Sequence, residues 1–260
     1  MTAIAHKPIP QGTTSQDPGV IASLLWIVAL VVFQFIGIFI AVAFETITTG
    51  NSDPMQMGAT TLMFGVLVGS LLLIALRSKY MLRHLKPAWD GSSPHALSAK
   101  SLLITGALVL GTAIFSALYQ TFVLGDQDMQ PELVIFLTAM QGGTVGIIMV
   151  FLVGALAAPV LEEILFRGQL QGAVQEKLKN NSNSAIYAIL ITAGVFSIIH
   201  FQPLAIPPLF VAGCAFGWIR WRSGSLALPI VAHVAMNFLS LLILLWTGEI
   251  QDYQKKSKVM

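Results

Sequence analysis

Six stretches of the chain contain no Asp, Glu, Lys or Arg: Pro18–Phe44, Pro54–Leu76, Ser101–Gly125, Leu133–Leu161, Asn180–Ile219 and Ser223–Gly248. A helix across a hydrocarbon core of about 30 Å needs about 20 apolar residues, so each stretch accommodates at least one crossing and the fifth accommodates two. The pattern predicts helices over Val20–Phe44, Met57–Leu76, Ser98–Phe122, Gly142–Ala158, Ser184–Phe201, Leu204–Arg220 and Leu226–Trp246, with a more polar helix over Pro159–Lys179. Glu132–Met140 reads as a short interfacial helix. Clusters of turn-forming residues separate these elements, among them Gly50–Pro54, Trp89–Pro94, Asn180–Asn183 and Arg222–Ser225.

Composition removes the alternatives. With 55% hydrophobic and 10% charged residues and a mean hydropathy of +0.78, the chain is not an ordinary soluble enzyme. The expected fold class is all-α, a polytopic transmembrane bundle with about eight membrane-crossing helices. Four segments are expected: a flexible cytoplasmic tail over 1–19, three N-terminal spans over 20–141, a helical core carrying the chemistry over 142–247, and a C-terminal tail over 248–260. The first apolar run is too long for the h-region of a cleavable signal peptide. A net charge of +2, scattered along the chain, excludes nucleic acid as a partner. The one cysteine, Cys214, lies in an apolar run, so neither an intramolecular disulfide nor a cysteine metal cluster is expected.

Basic residues in short loops set orientation. The second connector carries Arg77, Lys79, Arg83, Lys86 and Lys100 against Asp90, whereas the first carries Glu45 and Asp53 and the third Asp126, Asp128 and Glu132. This places the second connector, and with it the N-terminus, in the cytoplasm.

An ionisable side chain among apolar helices costs roughly 2.5–3.5 kcal/mol on insertion scales, so each one calls for a reason. The embedded groups are Glu162, Glu163, Arg167, His200 and His233. Glu163 and Arg167 are four apart on one helix face and predict an ion pair. Glu162 is rotated by about 100° from Glu163, next to Phe166, and is left without that neutralising partner. Phe196 and His200 form a second pattern, and His233 and Asn237, also four apart, form a third. Alone, the histidines and the His–Asn pair read equally well as interfacial residues or as polar glue between helices.

Hairpin geometry brings the three patterns together. Glu162 and Glu163 lie about 19 residues before the centre of the Asn180–Ser184 turn and His200 about 18 after it, so antiparallel helices hold them at nearly one depth. A pivot near Ser223 brings Asn237 within about one turn of that depth, with His233 slightly deeper. If Glu163–Lys179 lay flat on the cytoplasmic surface, seven helices would cross and Glu162 and His200 would end roughly 25 Å apart. If it crosses, eight helices cross, both termini are cytoplasmic, and Lys177, Lys179, Arg220 and Arg222 fall outside, against the charge rule. Eight crossings keep the groups together and are the expectation.

These residues resemble the CAAX-protease and bacteriocin-processing family, also called the Abi family, of intramembrane glutamic endopeptidases. The shared signature is Glu162-Glu163 with Arg167, then Phe196 with His200, then His233 with Asn237, in that order; Pro159, Phe166-Arg167-Gly168 and Arg222–Ser225 also look like family features. The resemblance covers about Gly142–Ser240. It implies a membrane-embedded peptide hydrolase in which Glu162 is the catalytic carboxylate and His200 its partner in activating water. His233 and Asn237 would stabilise the oxyanion, and Glu163 and Arg167 would support the geometry through their ion pair. It further implies a substrate that is a membrane-associated peptide or protein at the lipid bilayer, no cofactor, and a plasma-membrane location in a bacterium. Ser197, three residues from His200, is disfavoured as a nucleophile. Two carboxylates and two histidines can also make a zinc ligand set, and embedded acids and histidines also mark proton-coupled transporters or a bacteriocin-immunity protein.

Overall fold

In the computed structural model the described residues are 18–50, 58–89, 98–125, 131–140 and 143–246. The tails expected over 1–19 and 248–260 lie outside them, apart from residues 18 and 19. The helices are α1 (Val20–Thr49), α2 (Ala59–Trp89), α3 (Ala99–Leu124), α4 (Pro131–Met140), α5 (Gly143–Lys177), α6 (Ser184–Ile198), α7 (Pro203–Ser223) and α8 (Ala227–Trp246). Among the described residues there is no strand, and six of these helices are long and apolar enough to cross a membrane. The chain is an integral membrane protein, a polytopic helical bundle.

The side chains are distributed for lipid rather than water. Phe35, Phe39, Leu103 and Phe122 point outward, whereas Ser23, Ser70 and Thr112 are buried. Small polar groups tolerate the interior because each hydroxyl can return a hydrogen bond to its own helix, as Ser23 does to Gly19 O at 3.0 Å and Thr112 to Leu108 O at 2.8 Å.

The span count departs from expectation. The fourth span and the polar helix expected as separate elements over Gly142–Ala158 and Pro159–Lys179 are one continuous helix, α5. Proline inside an α-helix removes a donor and crowds the carbonyl four residues back. The chain avoids that clash by winding Phe151–Ala157 as a π-helix, so that Ala158 N–H reaches back to Val153 O; a second π segment follows over Ile164–Leu170. The helix therefore continues through Pro159. With α6, which is apolar but only 15 residues long, the described residues hold seven apolar helices of this kind and not eight. Elsewhere the boundaries shift: α1 runs on past Glu45 to Thr49, and α2 past Leu76 to Trp89. The short helix expected over Glu132–Met140 is α4.

The described chain gathers into two units, one of residues 18–27, 78–125 and 162–232, the other of 28–77, 131–161 and 233–246. In the first, α5, α6 and α7 pack side by side. Arg167 and Gln171 donate to Gly213 O and Gly217 O at 3.1 and 3.0 Å, a constant offset that makes α5 and α7 parallel. Ser101 and Thr105 of α3 line the same cavity as Arg222 and Trp218 of α7, so those two helices are antiparallel. Lys100, Lys177, Lys179, Arg220 and Arg222 consequently gather at one end, Lys179 donating to Glu176 at 2.7 Å in an exposed pair that holds its ammonium above the usual lysine range. The sequence expectation had put Lys100 on the face opposite the other four. Joining Pro159–Lys179 to the preceding span reverses the direction of every later helix and removes that conflict with the charge rule.

In the second unit α1 and α2 meet through glycine. Gly37 lies against Gly65 and Gly69, and a Cβ on Gly69 would come within 2.6 Å of the Phe33 carbonyl carbon and 2.8 Å of Gln34 Cα. Thr61 adds a hydrogen bond to Glu45 across the same helix pair. Leu137, Met140, Val150, Val153, Leu241 and Leu244 form the apolar core beside it. Gly69→Ala is expected to destabilise the protein by about 1–3 kcal/mol, the usual cost of overpacking, whereas Gly106→Ala, where no atom lies within 4 Å of the added carbon, should leave the melting temperature unchanged or raised. Thermal unfolding of the two purified variants against wild type checks the contrast.

Candidate active site

The second π segment of α5 carries the strongest electrostatic feature of the first unit. Arg167 Nη1 donates to Glu163 Oε1 at 2.8 Å, with both side chains fully buried. The predicted ion pair is present. Its second guanidinium nitrogen is held by the Gly213 carbonyl, and the charge lies over the rings of Phe196, Phe216 and Phe166 at 4.6, 5.3 and 5.9 Å. The fork of Arg suits this task because one planar group serves a carboxylate and a carbonyl from separate nitrogens while its face lies over aromatic rings.

The aromatic wall extends the arrangement towards His200. Phe166 and Phe196 meet edge to face at 5.3 Å, and the His200 ring meets Phe196 the same way at 4.8 Å. His200 Nδ1 is 2.7 Å from Phe196 O. A carbonyl only accepts, so Nδ1 carries the hydrogen and, in the neutral ring, the lone pair is on Nε2. Glu162 is one turn before Phe166 on α5, and His200 is four residues after Phe196, in the turn that ends antiparallel α6. Both therefore lie at the same level, one turn beyond the paired rings, and both are partly exposed. The shared depth expected for Glu162 and His200 is kept without an eighth crossing, because α5 reaches that level on its way through.

His233 and Asn237 belong to the second unit, on α8. His233 is buried. Asn237 Nδ2 donates to Gly154 O at 2.9 Å. Local chemistry explains this bond: with Ala158 N–H paired to Val153 O, the next donor due, for Gly154 O, would come from residue 159, which is proline and has none. The Asn237 amide supplies the missing donor and keeps a second N–H. Phe151 and Phe238, 5.0 Å apart edge to face, pack alongside.

Several contributors were missed from the sequence. Gly213 is a glycine because a Cβ there would come within 2.9 Å of Ala193 Cβ, and Gly217 because one would come within 3.2 Å of Gln171 Oε1 and of Ile189 Cγ2. The signal was available as Gly213-Cys-Ala-Phe-Gly217, the small-xxx-small spacing that lets helices approach closely, matched by Arg167 and Gln171 four apart on α5. Gln169 is buried with neither amide atom hydrogen-bonded among the described residues. Ser197 donates to Gly194 O at 3.0 Å, a bond to its own helix. No group of three His, Cys, Asp or Glu side chains among the described residues has the proximity to hold a metal ion.

Removing one member of a buried ion pair strands the other charge. Glu163→Ala is expected to destabilise the protein by about 3–5 kcal/mol, and Glu163→Gln combined with Arg167→Met to recover most of that loss. Chemical or thermal unfolding in detergent of the single and double variants measures it; a double variant no more stable than the single would contradict the assignment.

The type II CAAX prenyl endopeptidase family, Rce1-like, matches residues 144–239, a stretch that contains Glu162, Glu163, Arg167, Phe196, His200, His233 and Asn237. A Bacillus subtilis (strain 168) protein named "Putative membrane peptidase YdiL" is 30% identical over 89 residues, 34% of this chain and 34% of that protein. The aligned region thus spans about a third of the length of the curated relative it matches. No solved structure matches the chain. Over residues 144–239, the stretch that carries the three ordered motifs, the chain is similar to the Rce1-like type II CAAX prenyl endopeptidase family.

Proposed function

We propose that the protein is a membrane-embedded endopeptidase that cleaves a membrane-associated or lipid-anchored chain, of the CAAX prenyl-protein or peptide-processing type, with a water activated by glutamate. What supports this reading is His200, whose Nδ1 is committed to the Phe196 carbonyl and whose Nε2 can accept a proton, together with the helix register that sets Glu162 one turn from the Phe166–Phe196 ring pair. Glu162 takes a proton from water as its oxygen attacks the scissile carbonyl carbon, and His200 holds that water through Nε2. An oxyanion forms on the scissile carbonyl, and the tetrahedral intermediate collapses with cleavage of the C–N bond as the proton held by Glu162 passes to the leaving amine. Glu163 and Arg167 touch no substrate; they neutralise each other and fix the helix face that presents Glu162. The mechanism uses no metal and no other cofactor.

The end that gathers Lys100, Lys177, Arg220 and Arg222 faces the cytoplasm of a bacterial plasma membrane on this reading, as the charge rule prefers.

Glu162→Gln and His200→Ala are each expected to insert and purify as wild type while lowering cleavage by about 10²–10⁴-fold, the usual worth of a positioned acid–base group. Membrane peptidomics of cells carrying wild type or Glu162→Gln, with a farnesylated CAAX peptide assayed on the purified proteins, measures this. Cleavage by Glu162→Gln near the wild-type rate would sink the proposal. Activity lost to a chelator and restored by zinc would replace the metal-free mechanism, and proton-driven flux without cleavage would replace the protease.

A further inference from the structure

A cavity of about 310 Å³ lies in the first unit between the first turns of α3 and the last turns of α7. Lys100 and Arg222 stand at it, Ser101 and Thr105 offer hydroxyls, and Ile104 and Ile219 supply apolar surface beside the indole of Trp218. Among the described residues no carboxylate lines it. Neither Lys100 nor Arg222 has an ion-pair or hydrogen-bond partner among the described residues, and both are exposed. Two unneutralised cations at one concave site call for an anion, and the guanidinium fork fits phosphate oxygens as it fits a carboxylate.

The surroundings specify the kind of anion. The cavity sits where two membrane spans end, since α3 begins at Ala99 and α7 finishes at Ser223. That is the level of lipid headgroups, where tryptophan is also at home. On the face of α3 that carries Lys100, Leu103 is 75% exposed and Leu110, two turns on, is 61% exposed, an apolar strip. Charge at the mouth and hydrocarbon-facing leucines beside it describe an amphiphile.

We propose that this cavity binds the phosphate of an anionic phospholipid, with Lys100 and Arg222 on the phosphate oxygens and an acyl chain along the Leu103–Leu110 face of α3. The site is separate from the residues assigned to hydrolysis and does not depend on that assignment.

Native mass spectrometry of the full-length protein in detergent, titrated with phosphatidylglycerol or phosphatidylcholine, tests it. Wild type should retain phosphatidylglycerol in preference to phosphatidylcholine. Lys100→Gln or Arg222→Gln should each weaken that retention about fivefold and the double variant about 30-fold, from the usual interaction of one basic residue with an anionic lipid and additivity of the two. Lys177→Gln with Lys179→Gln removes the same charge from the same end but not from the cavity and should leave retention intact. Ser101→Trp keeps every charge and fills the cavity; it should lose retention at an unchanged melting temperature, which separates loss of the site from loss of the fold. Equal retention by wild type and the Lys100/Arg222 double variant, or equal loss in the Lys177/Lys179 control, would overturn the proposal. Displacement of the lipid by excess inorganic phosphate would assign the site to free phosphate and overturn the lipid.

Discussion

A guanidinium buried among apolar helices has to be neutralised and hydrogen-bonded within a few ångströms, and this requirement organises the first unit. Arg167 meets it with Glu163 on its own helix, the Gly213 carbonyl on α7 and the faces of three phenylalanines. Each partner is thereby fixed in turn. Gly213 has to be a glycine so that α7 can approach Ala193 on α6, and Phe196 has to stand on edge between Phe166 and His200. His200 inherits its orientation from that stack and from the Phe196 carbonyl. A pair whose own net contribution to stability is small or negative can still specify which way four neighbouring groups point.

The irregular turns of α5 follow from the same need to place chemistry in an apolar helix. A regular α-helix pairs each interior carbonyl with one of its own N–H groups, leaving only the second lone pair for a neighbour, as at Gly213 O and Gly217 O. The π segment ahead of Pro159 leaves Gly154 O without a helical donor, and Asn237 fills the vacancy. The second π segment begins directly after Glu163 and contains Phe166 and Arg167. Both irregularities flank the glutamates, so the helix departs from ideal winding next to the groups assigned to catalysis, where π-bulges often occur.

Much of this was legible in the sequence because membranes impose simple rules. Charge-free runs gave the helices, and spacing by four gave the Glu163–Arg167 pair. The level shared by Glu162 and His200 followed from counting residues to a turn, and the eight crossings adopted to preserve it are not needed when α5 runs through that level as one helix. Gly213 and Gly217 were overlooked because attention went to ionisable groups, while the glycine spacing that admits a backbone carbonyl to Arg167 carries no charge to draw notice.

The sequence by itself determined that the chain spans a membrane, since hydropathy over about 20 residues is a local property that needs no partner. It also narrowed the ionisable groups among the apolar helices to Glu162, Glu163, Arg167, His200 and His233. Only the tertiary structure decided that α5 passes through Pro159 as one helix, because the missing backbone donor is made good by a π turn and by Asn237, some 80 residues away. That continuity set the direction of every later helix and brought Lys100 to the same end as Arg222. A proline's local preference could not reveal this, because whether it breaks a helix depends on who satisfies the carbonyl it abandons.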